Sequence, residues 1–278
     1  MADSSQHAFL RRILECGQLE AKLAPPPECA LVDSEPDPPL HIERPARAPG
    51  LELVSGAPRL PRPRALVDRG ARAQCLARFA HHELMAVELF AWALLRWPAL
   101  PAELRSGWLR VLAEEQVHCR LYLERLAAHD GSLEEFPTSD YFWHHSGAIA
   151  AAPDGPQAFL AAIGLTLEQA NLDFTLLYRD AFRRAGDEES ARVCQRVHDD
   201  EIRHVRHAAR WLRELAGPET SDLDAYLRAV PFPLAPSRAK GRHFHAEARR
   251  RAGLSPELIE TVRCARSSQE TRNDKRPR

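Results

Sequence analysis

The sequence predicts an all-α protein whose centre is a bundle of four long helices arranged as two hairpins. Three observations support this fold class. Only 13 of the 278 residues are glycine, and the helix-favouring residues Ala, Leu, Arg and Glu are abundant outside one proline-rich stretch. Half of the 22 prolines lie between Pro25 and Pro63. In four other stretches apolar residues recur every three or four positions, which indicates helices with one buried face.

The four stretches end at sequences that stop helices. They cover about residues 65–97, 102–129, 156–185 and 188–216. "WPALP" follows the first, "HDGS" the second and "LAGP" the fourth, and Gly186 is a candidate C-cap of the third. The links within each pair are short, and the longer connection "DYFWHHSGAIAAAPDGP" joins the pairs. Such spacing is typical of a four-helix bundle built from two hairpins.

The flanking regions have a different character. Residues 5–24 have the apolar spacing of one amphipathic helix. The prolines that follow exclude regular helix, so this segment is either a disordered linker or an extended strap, and its interspersed Leu, Val and Ile favour the strap. Further helical pieces are expected near residues 220–229, 236–252 and 255–266.

These assignments divide the chain into four parts. They are an N-terminal helix and strap (1–64), a four-helix bundle (65–217), a C-terminal helical extension (218–266) and a disordered basic tail (267–278).

Composition excludes several classes of protein. The net charge of −1 argues against a protein that binds polyanions as a whole. Residues 240–278 carry eleven Lys/Arg against five Asp/Glu, which we interpret as a solvated helix and tail, so nucleic acid is not expected as a partner.

No apolar run approaches the roughly 20 residues that span a bilayer. The six cysteines form no CxxC pair, and the N-terminus lacks a signal-peptide pattern. We therefore expect a cytoplasmic protein with free thiols.

Acidic residues interrupt the apolar stripe of every long helix. Residues three or four apart share a helix face, so these groups point towards the core. Burying four carboxylates together costs several kcal/mol per ion unless positive charge compensates, and no Lys or Arg lies at the same level of the stripes. Two divalent cations would compensate, and mixed carboxylate and imidazole ligands suit iron or manganese. The predicted metal ligands are Glu83, Glu115, His118, Glu168, Glu201 and His204.

The two halves of the bundle repeat this pattern. Each half has a helix with one Glu, a turn, and a helix with Glu-x-x-His. The first Glu precedes the second by 32 positions in one half and by 33 in the other. "HHELMAVEL" (81–89) also aligns with "TLEQANLDF" (166–174), which matches Glu88 to Asp173. Glu-x-x-His alone is a weak signal, but its repetition predicts a dinuclear centre.

Other polar residues near these positions have two possible roles each. Glu88, Asp173 and His198 are candidates to hydrogen-bond the ligands from behind, and solvated surface groups are the alternative. Tyr122 and Tyr178 could donate electrons or gate a substrate, although core aromatics are the simpler interpretation. The stretch "DYFWHHS" is a lid over the site or a hydrophobic latch, and we favour the latch.

Several stretches carry a family resemblance. They include "FAHHELMAVELFAWAL", "EEQVHCRLYLERL", "LTLEQANLDF" and "AGDEESARVCQRVHDDEIRHVRHAARWL". They resemble the uncharacterised ferritin-like family of domain-of-unknown-function number 455, over about residues 40–262. The resemblance implies the ferritin-like four-helix fold and the same six metal ligands. It implies no substrate.

The expected function is that of an oxygen-using dinuclear non-haem iron enzyme, an oxidase or a hydroxylase. It would bind two iron ions, with manganese or a mixed pair as alternatives, and would take O2 and an unidentified small-molecule substrate. The sequence does not identify the electron donor. About 64 residues precede the bundle and 61 follow it, and these extensions could shape a substrate pocket or form a homodimer interface.

Three alternatives stay open at this stage. The first is metal storage or sequestration in a ferritin-like shell, which the bulky extensions make harder to assemble. The second is peroxide reduction of the rubrerythrin type, for which the chain has no four-cysteine iron site. The third is a tRNA-modifying hydroxylase, for which the only support is the basic C-terminal region.

Overall fold

The computed structural model describes residues 5–28, 37–56 and 59–266, and this part of the chain is helical with no β-strand, as the sequence predicts. The expected basic tail, residues 267–278, lies outside the described residues. Among the described residues no helix combines the length and the apolarity needed to cross a bilayer. The α-helices are α1 (Gln6–Glu15), α2 (Leu19–Leu23), α3 (Arg69–Arg96), α4 (Ala102–Ala127), α5 (Ser146–Ala150), α6 (Gly155–Phe159), α7 (Gln169–Arg184), α8 (Glu188–Ala216), α9 (Asp222–Ala229), α10 (Ala246–Arg251) and α11 (Pro256–Cys264).

Shorter helical segments of other types join these helices. A π-helix leads from α6 into α7, so the third long stretch is one helix with a wide central portion. It spans Leu160–Glu168. The 3₁₀ turns are Pro63–Val67, Leu133–Glu135, Trp143–His145 and Pro236–Arg238.

The chain forms two compact units. The first unit comprises residues 1–147 and 179–193, and the second comprises residues 148–178 and 194–278. The first unit therefore contains α1 to α4 and the turn between α7 and α8. The second contains the π-helix, the greater part of α8 and the helices α9 to α11.

Helices α3 and α4 form the centre of the first unit. α3 begins at the cap residue Asp68, whose side chain accepts a hydrogen bond from the Ala71 N–H at 2.8 Å. Most of α3 is buried, which suits its largely apolar sequence. α4 packs against α3, and Trp108 meets Phe90 edge-to-face with ring centroids 6.5 Å apart.

The prediction of one helix over residues 5–24 is wrong. The chain leaves helical geometry after Glu15 and resumes it at Leu19. At the break, the Gly17 carbonyl accepts the Ala48 N–H at 3.0 Å. A Cβ on Gly17 would lie 2.9 Å from the Ala48 nitrogen, so the glycine permits this close approach. The helix is therefore interrupted by a distant segment that binds its backbone, which local spacing cannot reveal.

The segment that causes this break is an extended strap. We use that name for residues 37–56. The Leu40 N–H donates to the Leu95 carbonyl at 2.9 Å, and the Trp92 indole N–H donates to the Ile42 carbonyl at 2.9 Å. The strap thus runs along α1 and α3, and its proline-rich backbone is satisfied by partners from those helices.

The second prediction that fails is a single helical piece over residues 236–252. The structure has a 3₁₀ turn at Pro236–Arg238 and a separate helix α10 that begins at Ala246. Between them, the N–H groups of Gly241 and His245 donate to the carboxylate of Asp173. These two backbone donors bind a side chain of α7, so they are not available for a local helical ladder.

Candidate metal centre

The first unit contains one set of candidate ligands, which we call the first set. Glu83 lies on α3, and Glu115 and His118 lie one turn apart on α4. All three are buried, with at most 5% of their surface exposed, and their ligand atoms lie within 4.8 Å of one another. The His118 Nδ1 is 3.3 Å from a carboxylate oxygen of Glu115. The packing of α3 against α4 thus brings the helical Glu-x-x-His pair to the glutamate of the neighbouring helix.

The second unit contains a matching set, which we call the second set. Glu168 is the last residue of the π-helix, and Glu201 and His204 lie one turn apart on α8. Their exposed fractions are again at most 5%, and their ligand atoms also lie within 4.8 Å of one another. His204 Nδ1 is 3.7 Å from Glu201 Oε2. Within each unit the structure therefore gathers the three residues that the sequence predicts as ligands.

The chemistry of each set fits a divalent cation. Two ionised carboxylates and one neutral imidazole carry a charge of −2, and concentrating that charge in a buried volume is costly without a counter-charge. Carboxylate oxygens and imidazole nitrogens together suit iron, manganese or zinc. Each cluster could therefore hold a metal ion.

A buried histidine lies two residues before Glu83 and binds a loop of the first unit. His81 is 1% exposed, and its Nε2 lies 2.9 Å from the nitrogen and 2.8 Å from the oxygen of Ser139. Burial lowers the pKa of His81 to about 3, and the positive charge of Arg47 acts in the same direction. The imidazole is therefore neutral and fixes α3 to the loop that contains Ser139.

An amide supports the second set. Asn171 donates through its Nδ2 to Glu201 Oε1 at 2.8 Å. Thr175 donates to the Asn171 carbonyl at 2.6 Å, and its hydroxyl also lies 3.1 Å from Nδ1 of His198. Sequence reasoning missed Asn171, although it lies three residues after Glu168 and so on the same helix face. That spacing was the available signal.

Glu88 is fully buried in the first unit and is neutralised by two cations. Lys22 Nζ lies 2.8 Å from one carboxylate oxygen, and Arg47 Nη2 lies 2.7 Å from the other. The indole N–H of Trp143 donates to that second oxygen at 3.0 Å. Burial lowers the pKa of Lys22, and the charge of Glu88 partly offsets this effect. The cluster joins α2, the strap and the Trp143 turn to α3.

Asp173 occupies the matching position in the second unit. Arg249 contacts both of its oxygens, at 2.8 and 2.9 Å. The N–H groups of Gly241 and His245 donate to the same carboxylate at 2.9 and 2.8 Å. Both charged side chains are fully buried. This bidentate pair, completed by two backbone donors, attaches the C-terminal extension to α7.

Burial excludes the solvated alternative for Glu88 and Asp173. The bonds described above connect the two carboxylates to segments that flank the long helices. A direct role of either residue, or of His198, in supporting a metal ligand stays a prediction.

The remaining candidates are aromatic. Tyr122 is 1% exposed and packs 5.2 Å from the ring of Phe79, and Tyr178 is also buried. Both environments are those of core aromatics, and a role in electron transfer or gating stays a prediction. In the stretch "DYFWHHS", Phe142 stacks on His82 with ring centroids 5.3 Å apart, and Trp143 binds Glu88. These contacts are those of a latch within the first unit.

Of the comparisons with known proteins, only the comparison with family models finds a match. No curated protein and no solved structure matches the chain at a significant level. A family model described as "Protein of unknown function (DUF455)" matches residues 6–260, which is most of the sequence. This match covers well over half of the chain, which therefore belongs to the DUF455 family.

Proposed function

We propose that this protein is a dinuclear non-haem iron carboxylate enzyme with a ferritin-like four-helix bundle, in which each ligand set holds one metal ion. One observation carries the proposal. Each compact unit buries two glutamates and one histidine whose ligand atoms lie within 4.8 Å of one another. The repeated order of Glu followed by Glu-x-x-His adds support, because di-iron carboxylate bundles supply their ligands in this way.

The charges of the buried groups support metal binding over a purely structural role. Glu88 and Asp173 show how this chain neutralises a buried carboxylate with its own cations, through Lys22, Arg47 and Arg249. In each ligand set two carboxylates and a histidine are gathered within 4.8 Å of one another. A divalent cation would balance the two negative charges of such a set, and the histidine would bind it as a neutral imidazole.

Iron is the metal that we favour, with manganese or a mixed pair as alternatives. Bound iron would relay to O2 the electrons that an unidentified small molecule loses as it is oxidised. The chain's own residues would hold the ions, keep bulk water from them and fix the ligand geometry. Asn171 would hold Glu201 in one orientation through its 2.8 Å hydrogen bond.

Iron loading followed by O2 addition tests this function. The full chain is purified without oxygen and loaded with Fe(II), the iron per chain is counted, and O2 consumption and optical absorption are followed. We expect two irons per chain and one rapid phase of O2 consumption. Glu83→Ala and Glu168→Ala should each lower the iron content and abolish the rapid phase.

The control for this experiment is Glu124→Ala, because Glu124 is an exposed glutamate of α4. It should behave like the wild type. Continued uptake far beyond two irons per chain would favour the storage alternative. A chain that binds no metal would contradict both functions.

A further inference from the structure

Glu168 is presented by an unusual piece of backbone. It ends the nine-residue π-helix Leu160–Glu168, whereas the hydrophobic spacing predicts ordinary α-helix throughout 156–185. π-helices are rare, and they are found frequently at functional sites. The wider turn changes the direction in which the last side chain leaves the helix. Whatever stabilises the π-helix therefore also determines where the Glu168 carboxylate points.

A directed chain of hydrogen bonds stabilises the π-helix. The Thr166 hydroxyl donates to the Ala161 carbonyl, five residues earlier, at 2.7 Å. A carbonyl can only accept, so this bond uses the single hydroxyl proton of Thr166. The 2.8 Å contact between Thr166 Oγ1 and the Tyr226 hydroxyl must then be donated by Tyr226. The order is Tyr226 O–H to Thr166 O–H to the Ala161 carbonyl, and it spans one π-helical turn.

Tyr226 is well suited to act as a permanent donor. It is fully buried, and burial raises its pKa to about 12, so the phenol keeps its proton at neutral pH. It lies on α9, in the C-terminal extension that follows the long helices. A group outside these helices thus hydrogen-bonds the side chain of Thr166, two residues before Glu168.

The π-helix packs closely against α8 at Gly164. A Cβ built on Gly164 would lie 2.3 Å from the Cβ of Ala208 and 3.7 Å from a carboxylate oxygen of Glu168. Ala208 is one turn after His204 on α8. Gly164 therefore allows the π-helix and α8 to touch beside two residues of the second set.

We propose that Thr166 and Tyr226 are positioning residues for Glu168, so that the C-terminal extension determines how tightly the second set binds its metal ion. This inference rests on the proposed metal-binding function. It assigns a role to two side chains that are not themselves candidate metal ligands.

The test is a comparison of variants in anaerobic Mn(II) titrations of the full chain. Tyr226→Phe and Thr166→Val each remove one hydroxyl with little change of shape. We expect each to weaken binding at the second set by about tenfold, the lower end of the effects seen when groups behind a metal ligand are removed. Thr166→Ser keeps the hydroxyl and should bind like the wild type. The control is Thr138→Val, because Thr138 is a buried threonine of the first unit whose hydroxyl donates to the Glu52 carbonyl.

Repeating the Tyr226→Phe titration in two histidine variants shows which set has the weaker Mn(II) binding. In His118→Ala, where the second set remains complete, Tyr226→Phe should still weaken binding about tenfold. In His204→Ala, where the first set remains complete, Tyr226→Phe should leave Mn(II) affinity unchanged. Urea unfolding of each metal-free variant measures its stability separately. A purely structural role of Tyr226 would lower stability without this selectivity.

The outcomes separate the two proposals. If the wild type binds two ions and the Tyr226→Phe and Thr166→Val variants bind both with wild-type affinity, the positioning role is wrong and the metal function stands. Equal weakening in both backgrounds would also overturn the positioning role. If the wild type binds no Mn(II) and no Fe(II), the metal function itself fails, and this inference fails with it.

Discussion

The two ligand sets are alike, but the structures that support them differ. In each unit a glutamate meets a Glu-x-x-His pair, and a fully buried carboxylate follows that glutamate five residues later. In the first unit this carboxylate, Glu88, binds two cations from the N-terminal segments. In the second unit Asp173 binds one arginine and two backbone N–H groups from the C-terminal extension. The repeat therefore includes the candidate ligands and the buried acids. The segments that bind the buried acid differ between the two halves.

The position two residues before the first glutamate shows the same relation. His81 contacts the backbone of Ser139 in the first unit, and Thr166 contacts the Tyr226 hydroxyl in the second. Both are buried polar side chains with a partner outside the long helices. The two units thus bury a polar side chain at the same place in the repeat, and each binds it to a different segment: the connection after α4 in the first unit and the C-terminal extension in the second.

Removing a cation gives the largest expected difference between the units. Arg249→Met leaves Asp173 without its guanidinium partner and should lower the free energy of unfolding by about 3–5 kcal/mol. Lys22→Met leaves Glu88 with Arg47 and Trp143, so a loss of about 1.5–3 kcal/mol is expected. Urea unfolding measures both. Arg250→Met, at an exposed neighbour on α10, should change stability by less than about 0.5 kcal/mol. A loss in Lys22→Met that equals or exceeds that in Arg249→Met would contradict the comparison.

A methyl group at Gly164 probes the tight packing of the second unit. Gly164→Ala places a Cβ 2.3 Å from that of Ala208, and the strain should lower the free energy of unfolding by about 1–3 kcal/mol. The matched control is Gly147→Ala in α5, where an added Cβ meets nothing within 4 Å. Thermal and urea unfolding should find the control as stable as the wild type or slightly more stable, because alanine favours helix. Wild-type stability in Gly164→Ala would mean that the two helices are not in such close contact.

The side chain of Asn171 distinguishes the second set from the first, where Ala86 has the matching place in the sequence. Asn171→Ala removes the hydrogen bond to Glu201 and should weaken metal binding at the second set by about tenfold. Isothermal titration in the His118→Ala background isolates that set. Gln195→Ala, which removes the amide of a half-buried residue of α8 that donates an exposed hydrogen bond to Asp199 at 3.2 Å, is the control and should have no effect. An unchanged affinity in Asn171→Ala would show that this amide does not orient Glu201.

Asp187 lies in the first unit but outside its ligand set, and its substitution should have a smaller effect on stability that depends on pH. Burial opposes its ionisation, but hydrogen bonds from Ser190 and His129 and the charge of Arg125 outweigh burial and lower its pKa below 3.8. The ionised carboxylate therefore stabilises the fold, and this contribution is complete at pH values well above 3.8. The stability advantage of the wild type over Asp187→Asn, about 1 kcal/mol, should be constant at neutral pH and shrink as the pH falls below 3.8 towards the lowered pKa.

Urea unfolding from about pH 7 to about pH 3 measures this advantage. Asp180→Asn, at a position whose side chain is 45% exposed, is the control and should show little difference at any pH. An advantage of the wild type that grew as the pH fell would have the wrong sign and would exclude this role of Asp187.

The spacing of apolar and polar residues along the sequence predicted the long helices and the candidate metal ligands. The four long helices follow from their apolar stripes, and the six candidate ligands follow from acids and histidines that interrupt those stripes. Two of the missed features depend on distant partners. The break at Gly17 is caused by Ala48, and the break before α10 reflects donors that bind Asp173. The π-helix was missed because nine consecutive mostly apolar residues have no spacing that distinguishes it from α-helix.

The most direct test of the account is the number of metal ions that the full chain binds when one histidine of either set is removed. After anaerobic Fe(II) loading and removal of excess metal, elemental analysis should find two ions in the wild type. His118→Ala and His204→Ala should each retain one ion, the double variant should retain none, and His243→Ala, at an exposed histidine, should retain two. Wild-type iron content in the folded double variant would contradict the claim that these two buried sets are the metal sites.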